Sequence, residues 1–386
     1  MKRILLLLVI MVMTIAMLTP LAFAADPIKL VIDNKTITPS VAPIVEKGVT
    51  LVPLRSILET LGADVSWNAT ARQAKIETAA HEVIFTINAT IYTVNGSNKT
   101  LEVPAKIING STMIPLRGVS EAIGATVDYN GSSNTVNISY FSKMSGSLKI
   151  SGSTTLQPIV QAAADKLIAM NKGLSITVSG GGSGTGIKDA DAGTVNIGMS
   201  SRELTADEAK GLRAYAVAND GIAIIVHPSN KVSNLSKDQA AKVFLGEVKN
   251  WKDVGGNDAP IIVTTRESGS GTRATLEEML MNKESVVATA SPYSSSQLIK
   301  QAVAKDVNAI GFDSIGFVDS TVKALSLDGK AATPANVLSN TYAMGRELLC
   351  CTKGKASGLT AVFIDYLRSK DCQDNIVVNE GYVKLR

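Results

Sequence analysis

The chain has 386 residues, 4% of them aromatic, and a formal net charge of +4 with no dense basic stripe, which excludes a nucleic-acid surface. The scarcity of aromatics argues against a sugar-stacking cleft or a single-strand platform, and the histidines and cysteines stand at no metal-binding spacing, so neither a metal nor a cofactor is expected. The length suits about two or three domains with cores of their own.

Met1, Lys2 and Arg3 precede an apolar run over 4–18 and then Ala22, Phe23 and Ala24. A charged start, an apolar middle and a small-residue cleavage site predict a secretory signal peptide over 1–24. The run is short for a spanning helix. The mature chain therefore begins near Ala25, outside the cytoplasmic membrane, and no cysteine follows the site to carry a lipid.

Residues 25–141 hold an internal repeat. GVTLVPLRSILETLGADVSWNATARQAKI from Gly48 aligns without gaps to GSTMIPLRGVSEAIGATVDYNGSSNTVNI from Gly110, one supersecondary unit used twice. Each copy predicts a short strand, a helix opened by Pro-Leu-Arg with proline in its first turn, a glycine stop, and an alternating strand. Arg55 and Arg117 are read as ties between helix and strand, not as catalytic groups.

Residues 142–147 (SKMSGS) read as a small polar linker, which predicts that 145–386 folds and binds by itself. Beyond it one event occurs three times: a strand ends in a Gly/Ser/Thr loop that opens a helix. The loops are Ser151 to Thr155, SGGGSGTG over 179–186, and RESGSGT over 266–272. Each offers unpaired amides, hydroxyls and the positive end of a helix at the carboxyl edge of a sheet, where open α/β folds bind ligands. With Arg266 in the third, the set predicts a site for a small oxyanion. There is no GxxxxGK[ST], GxGxxG or GxSxG, and His227 reads as a strand-end residue. The ligand is held, not transformed.

Two resemblances follow. The repeat, through VPLR and IPLR followed by Glu, Gly-Ala and Trp67 or Tyr129, resembles the copper amine oxidase N-terminal-like domain of Gram-positive surface proteins, which implies a stalk or wall-associated module without copper chemistry. Residues 148–386, through GSTT, SGGGSGTGIKDADAGTVNIGMSSREL, NDGIAIIVHPSN, VFLGEVKNWKDVGG and RESGSGTR, resemble the phosphate-binding subunits of phosphate ABC importers. That resemblance implies an α/β, two-lobed periplasmic-binding-protein clamshell of type II, with lobes over 148–227 plus 342–386 and over 228–341. It implies crossover strands at 220–228 and 342–353 and a membrane permease as partner. It places phosphate ligands at Thr154, Thr155, Ser183, Ser201, Arg266, Ser270, Gly271 and Thr272. Ser201 departs from a branch of the family that has aspartate there, which bears on the choice between phosphate and sulfate. The alternatives are another oxyanion, such as sulfate, and a wall-associated adhesion or sensing role, with a cell-wall component as the stalk's partner. Cys350 or Cys351 either joins Cys372 in a disulfide or all three are buried thiols.

Overall fold

The computed structural model describes residues 27–385, and the signal-peptide expectation for 1–24 lies outside them. Each repeat copy folds as strand, short helix and strand: Val49–Pro53, Leu54–Leu58 and Asp64–Asn68, then Ser111–Pro115, Leu116–Ala122 and Thr126–Asn130. Pro53 and Pro115 end the strand and cap the helix with ψ 118° and 115° rather than filling its first turn. A residue with fixed φ and no N–H to give suits that corner. Arg55 and Arg117 do not tie helix to strand. Both are exposed, and Arg55 pairs with Glu59 one turn on, at 2.9 Å. In a helix whose Leu54, Ile57 and Leu58 face inward, the second position points to solvent.

The two copies meet through Val49–Pro53 and Ser111–Pro115, antiparallel, with Val52 opposite Ile114. Those positions are equivalent in the repeat, so a local two-fold axis passes between them. Val45 and Ile107 are likewise equivalent, as are Trp67 and Tyr129, and all four are exposed. The first copy's second strand pair extends into a five-stranded meander, whereas the second copy's is completed by Lys29–Ile32, parallel to Thr135–Ser139.

In the remainder, Leu174–Gly181, Gly146–Gly152, Ile197–Ser200, Gly345–Lys353 and the long strand Leu212–Val226 lie side by side. The long strand pairs with Gly345–Lys353 as far as Gly221 and with Ala309–Ser314 from Ile222 onward. It thus passes from one lobe into the other, where Ile262–Arg266 and Ser291–Tyr293 continue the sheet.

The second lobe has its own core around Phe244, Trp251 and Phe312. The first lobe does not. Its core runs without a break from Leu30 and Val52 in the repeat, through Phe141 and Met144, to Leu148, Phe363 and Tyr366. Residues 142–147 are therefore held rather than free. The Asp33 carboxylate accepts the N–H groups of Tyr140, Phe141 and Ser142, Met144 is buried and donates its N–H to Asn171, and the Phe141 ring packs edge-on against Tyr366. Across the same seam, buried Asp365 accepts from the Ala79 N–H and the Tyr140 hydroxyl, each at 2.7 Å. Gly62 comes so close that a Cβ there would lie 2.0 Å from the Asp365 carbonyl oxygen. The polar composition of the linker concealed this seam: Lys143, Ser145 and Ser147 do face solvent, but the Ser142 and Met144 N–H groups are taken up by Asp33 and Asn171. Cys350, Cys351 and Cys372 are all buried and unbridged.

Candidate anion site

Three parallel strands of the first lobe, Gly146–Gly152, Leu174–Gly181 and Ile197–Ser200, end on one edge. Thr154 and Thr155 follow the first, Ser183 opens the helix Ser183–Ala192 after the second, and Ser201 follows the third. That helix lies unusually near the sheet: a Cβ on Gly186 would be 2.6 Å from the Ser151 carbonyl oxygen, and one on Gly198 would be 2.1 Å from that of Gly186. Three glycine-rich runs thus bring Ser183 beside Ser201. From the second lobe, Arg266 ends Ile262–Arg266, and Gly271 and Thr272 open the helix Gly271–Leu280.

The two sets face each other across the cleft. Thr155 Oγ1 lies 3.0 Å from Thr272 Oγ1, and Arg266 Nη2 donates to Thr154 Oγ1 at 3.0 Å. Ser183 Oγ accepts the Ser201 N–H at 3.0 Å and lies 3.3 Å from the Ser201 hydroxyl. A Cβ at Gly271 would stand 2.3 Å from Ser183 Oγ and 2.7 Å from Ser201 Oγ, so only glycine fits there. Gly184 N–H donates to the Gly269 carbonyl at 2.9 Å. Ser270 is buried in the same place, but its hydroxyl is turned into its own helix, where it caps the Arg273 N–H at 3.3 Å.

Arg266 is 2% exposed. Its guanidinium donates to the carbonyls of Tyr293 and Ser294 and to the hydroxyls of Ser296 and Thr154. Burial holds its pKa below the usual arginine range, an effect Asp313 opposes and Arg346 reinforces. It ion-pairs with no carboxylate among the described residues.

Four residues that the sequence reading did not reach also converge here. Arg346, on Gly345–Lys353, pairs with buried Asp220 at 2.7 Å and donates to the Ser201 carbonyl at 2.9 Å and to Thr272 Oγ1 at 3.1 Å. Ser296 opens a fourth helix, Ser296–Lys305; its N–H donates to Thr154 Oγ1 and its hydroxyl lies 3.4 Å from Thr155 Oγ1. Asp313, 1% exposed, accepts the Ser314 N–H through Oδ1 at 2.8 Å. Ser296 had a visible signal, the run Ser294-Ser295-Ser296 ahead of Leu298 and Ile299. Arg346 and Asp220 had none, since each comes from a different crossover strand and carries no local motif.

Residues 124–371 match the profile of the PBP superfamily domain, and 31–138 that of the copper amine oxidase N-terminal domain. The phosphate-binding protein PstS of Bacillus subtilis is 39% identical over 249 residues, 63% of this chain and 82% of that protein. The chain belongs to the PstS family of phosphate-binding proteins. A Clostridium perfringens structure described as a phosphate ABC transporter substrate-binding protein with bound phosphate superposes with TM-score 0.60 at 38% identity, over 62% of this chain and all of that one. A Vibrio cholerae ABC-type phosphate transport receptor gives 0.54 at 35% identity, over 61% and 99%.

PstS proteins bind and release a solute and catalyse nothing. His227 sits just past the long strand, its Nδ1 accepting the Ser229 N–H. For a PstS relative the site is neutral at position 201: the Ser201 hydroxyl meets Ser183, its carbonyl accepts from Arg346 and Thr275, and its N–H is used by Ser183.

Proposed function

We infer that this chain is the extracytoplasmic binding component of a phosphate ABC importer, closing two lobes around inorganic phosphate and presenting it to a membrane permease. The observation that carries this reading is Arg266: a guanidinium buried without a carboxylate partner, ringed by hydroxyls and helix N-termini from both lobes. Burying a charge with no ion-pair partner is costly, and an oxyanion between the lobes lowers that cost. Hydrogen bonds to a charged group contribute roughly 1.5–3 kcal/mol each, so several convergent donors offset the dehydration of a small anion. Thr154, Thr155, Ser183, Ser201, Arg266, Ser270, Gly271 and Thr272 are the proposed ligands.

The neutral residue at 201 supports a second reading in which the site takes oxyanions more broadly, sulfate among them. Calorimetric titration of the mature chain with phosphate, and then with sulfate, separates the two. Saturable one-to-one phosphate binding that excess sulfate fails to displace is the expected result. Displacement at near-equal concentration would replace phosphate by oxyanions in general. The repeat domain is proposed to hold the protein at a Gram-positive cell surface through a wall component, and pull-down of the mature chain on purified cell wall tests that role.

A further inference from the structure

The phosphate reading leaves one question at this site, and the inference here rests on that reading. Phosphate near neutral pH always carries a proton, whereas sulfate carries none, so a site that prefers phosphate needs an acceptor facing that proton. Position 201 supplies no carboxylate. A carboxylate lies one hydroxyl behind the site instead. Asp313 Oδ2 is buried with no hydrogen-bond partner among the described residues, on the strand Ala309–Ser314 against which the helix opened by Ser296 packs, and the Ser296 hydroxyl favours its charged form.

The hydroxyls between Asp313 and the cleft form a run. Ser296 Oγ lies 3.4 Å from Thr155 Oγ1, which lies 3.0 Å from Thr272 Oγ1, and either atom of each pair can donate. The two ends are fixed by donors: Arg266 Nη1 gives to Ser296 Oγ at 3.1 Å and Arg346 Nη2 gives to Thr272 Oγ1 at 3.1 Å. We propose that Asp313, acting through Ser296, orients this run so that Thr155 and Thr272 turn lone pairs toward the anion, and that this buried carboxylate thereby selects phosphate over sulfate.

The direction follows from counting hydrogens. An ionised Asp313 draws the Ser296 hydrogen. Ser296 oxygen, already accepting from Arg266, then accepts from Thr155, and Thr155 accepts from Thr272. All three hydrogens are committed away from the anion. One lone pair is left on Thr155 and one on Thr272, each able to accept the proton of phosphate and each repelling the bare oxygens of sulfate. Thr154 is set the opposite way: its oxygen already accepts from Arg266 Nη2 and the Ser296 N–H, so its hydrogen is free to donate. Asp313 is a positioning residue, since it touches no anion.

The groups around Asp313 set the pH at which this orientation switches. Burial pushes its carboxyl up to about 6, opposed by Ser296, the Ser314 N–H and Arg266, and assisted by Asp220 on the long strand. The Tyr382 phenol is a further titratable neighbour, and burial raises its own pKa well above the ordinary range. Above that pH the run presents acceptors; below it Asp313 donates to Ser296 and the run reverses.

The test is competitive calorimetry on the full mature chain with phosphate and sulfate. Asp313→Asn keeps Oδ1 for the Ser314 N–H and puts an NH2 where Oδ2 stood, so it should lower the phosphate-to-sulfate affinity ratio by about tenfold or more, as a lost charge-assisted bond does. Sulfate has no proton to lose in this range, so its affinity reports on the protein alone. In wild type it should rise between about pH 7.5 and about pH 5, and in Asp313→Asn it should stay flat. If Asp313→Asn does not fold, Ser296→Ala breaks the same run and should lower the ratio likewise. An unchanged ratio in a folded variant, or flat sulfate binding by wild type across that range, overturns the proposal. If wild type binds no phosphate, the parent reading falls and this one with it. If wild type binds phosphate and the ratio survives both substitutions, this one falls alone.

Discussion

The first lobe has two neighbours, and it meets them by opposite means. Against the second lobe it offers hydroxyls, glycines and backbone amides; against the repeat domain it offers Leu148, Phe363 and Tyr366, packed into one core with Phe141 and Met144. Polar contacts at the cleft exchange with water at little net cost, since a typical hydrogen bond contributes only about 1 kcal/mol net. Apolar contacts at the other seam do not, at about 1.5–3 kcal/mol for each large side chain. A protein that must open on one side and stay whole on the other is built in this way. The Clostridium perfringens and Vibrio cholerae structures match almost completely within about three-fifths of this chain, so the repeat domain is what this chain adds to the shared binding fold.

Truncation should break the comparison most sharply. A chain of residues 145–386 loses the packing of Tyr140, Phe141 and Met144, all 6% exposed or less, and should be destabilised by about 5 kcal/mol or more. Urea denaturation followed by fluorescence measures it, and a midpoint equal to that of the mature chain would show the seam to be dispensable. Next in size, Arg266→Ala should weaken phosphate binding by about 2–5 kcal/mol. Arg273→Ala should cost much less, since Arg273 pairs with Glu277 on its own helix at 2.8 Å. Equal losses in the two variants would place Arg266 outside the site.

Two glycines then test the seams separately. Gly271→Ala sets a methyl against Ser183 and Ser201 and should cost about 1–3 kcal/mol in phosphate affinity with stability nearly unchanged. Gly62→Ala, at φ +86° and facing the Asp365 carbonyl, should do the reverse. Loss of the same quantity in both would erase the distinction between the seams.

The last test concerns pH. Burial raises the Asp365 carboxyl to about 7, opposed by the Ala79 N–H, Tyr140 and Arg368. A carboxyl raised on folding contributes stability that is fully present below its ordinary value and is lost as pH rises through the folded one. Stability should therefore fall between about pH 4 and about pH 7, by at most about 1.4 kcal/mol for each pH unit. Asp365→Asn should flatten that slope, and an unaltered slope in thermal melts across the range would assign it elsewhere.

What could be read from the sequence was whatever is written locally. Each of the three anion loops declares itself in five to eight consecutive residues, because amide donors and a helix start need Gly, Ser and Thr side by side. The repeat was legible for the same reason. Arg346 and Asp220 were not: they stand on separate strands and acquire meaning only when those strands pair. Asp313 reads as one more acidic residue until burial leaves its Oδ2 without a partner. The linker misled because Ser142 reads as solvated, while its N–H is taken by Asp33, more than a hundred residues earlier in the chain.

The local two-fold axis between Val52 and Ile114 carries a further consequence. Trp67 and Tyr129, and Val45 and Ile107, are presented twice by one rigid unit. A polymer with a repeating chemistry would meet two similar footholds at a fixed separation. The second contact would then form at the high effective concentration of a tethered ligand, which multiplies weak single-site affinities by about 10²–10⁴ when the spacing matches. Duplication of a short segment thus presents the same exposed positions twice on a single chain.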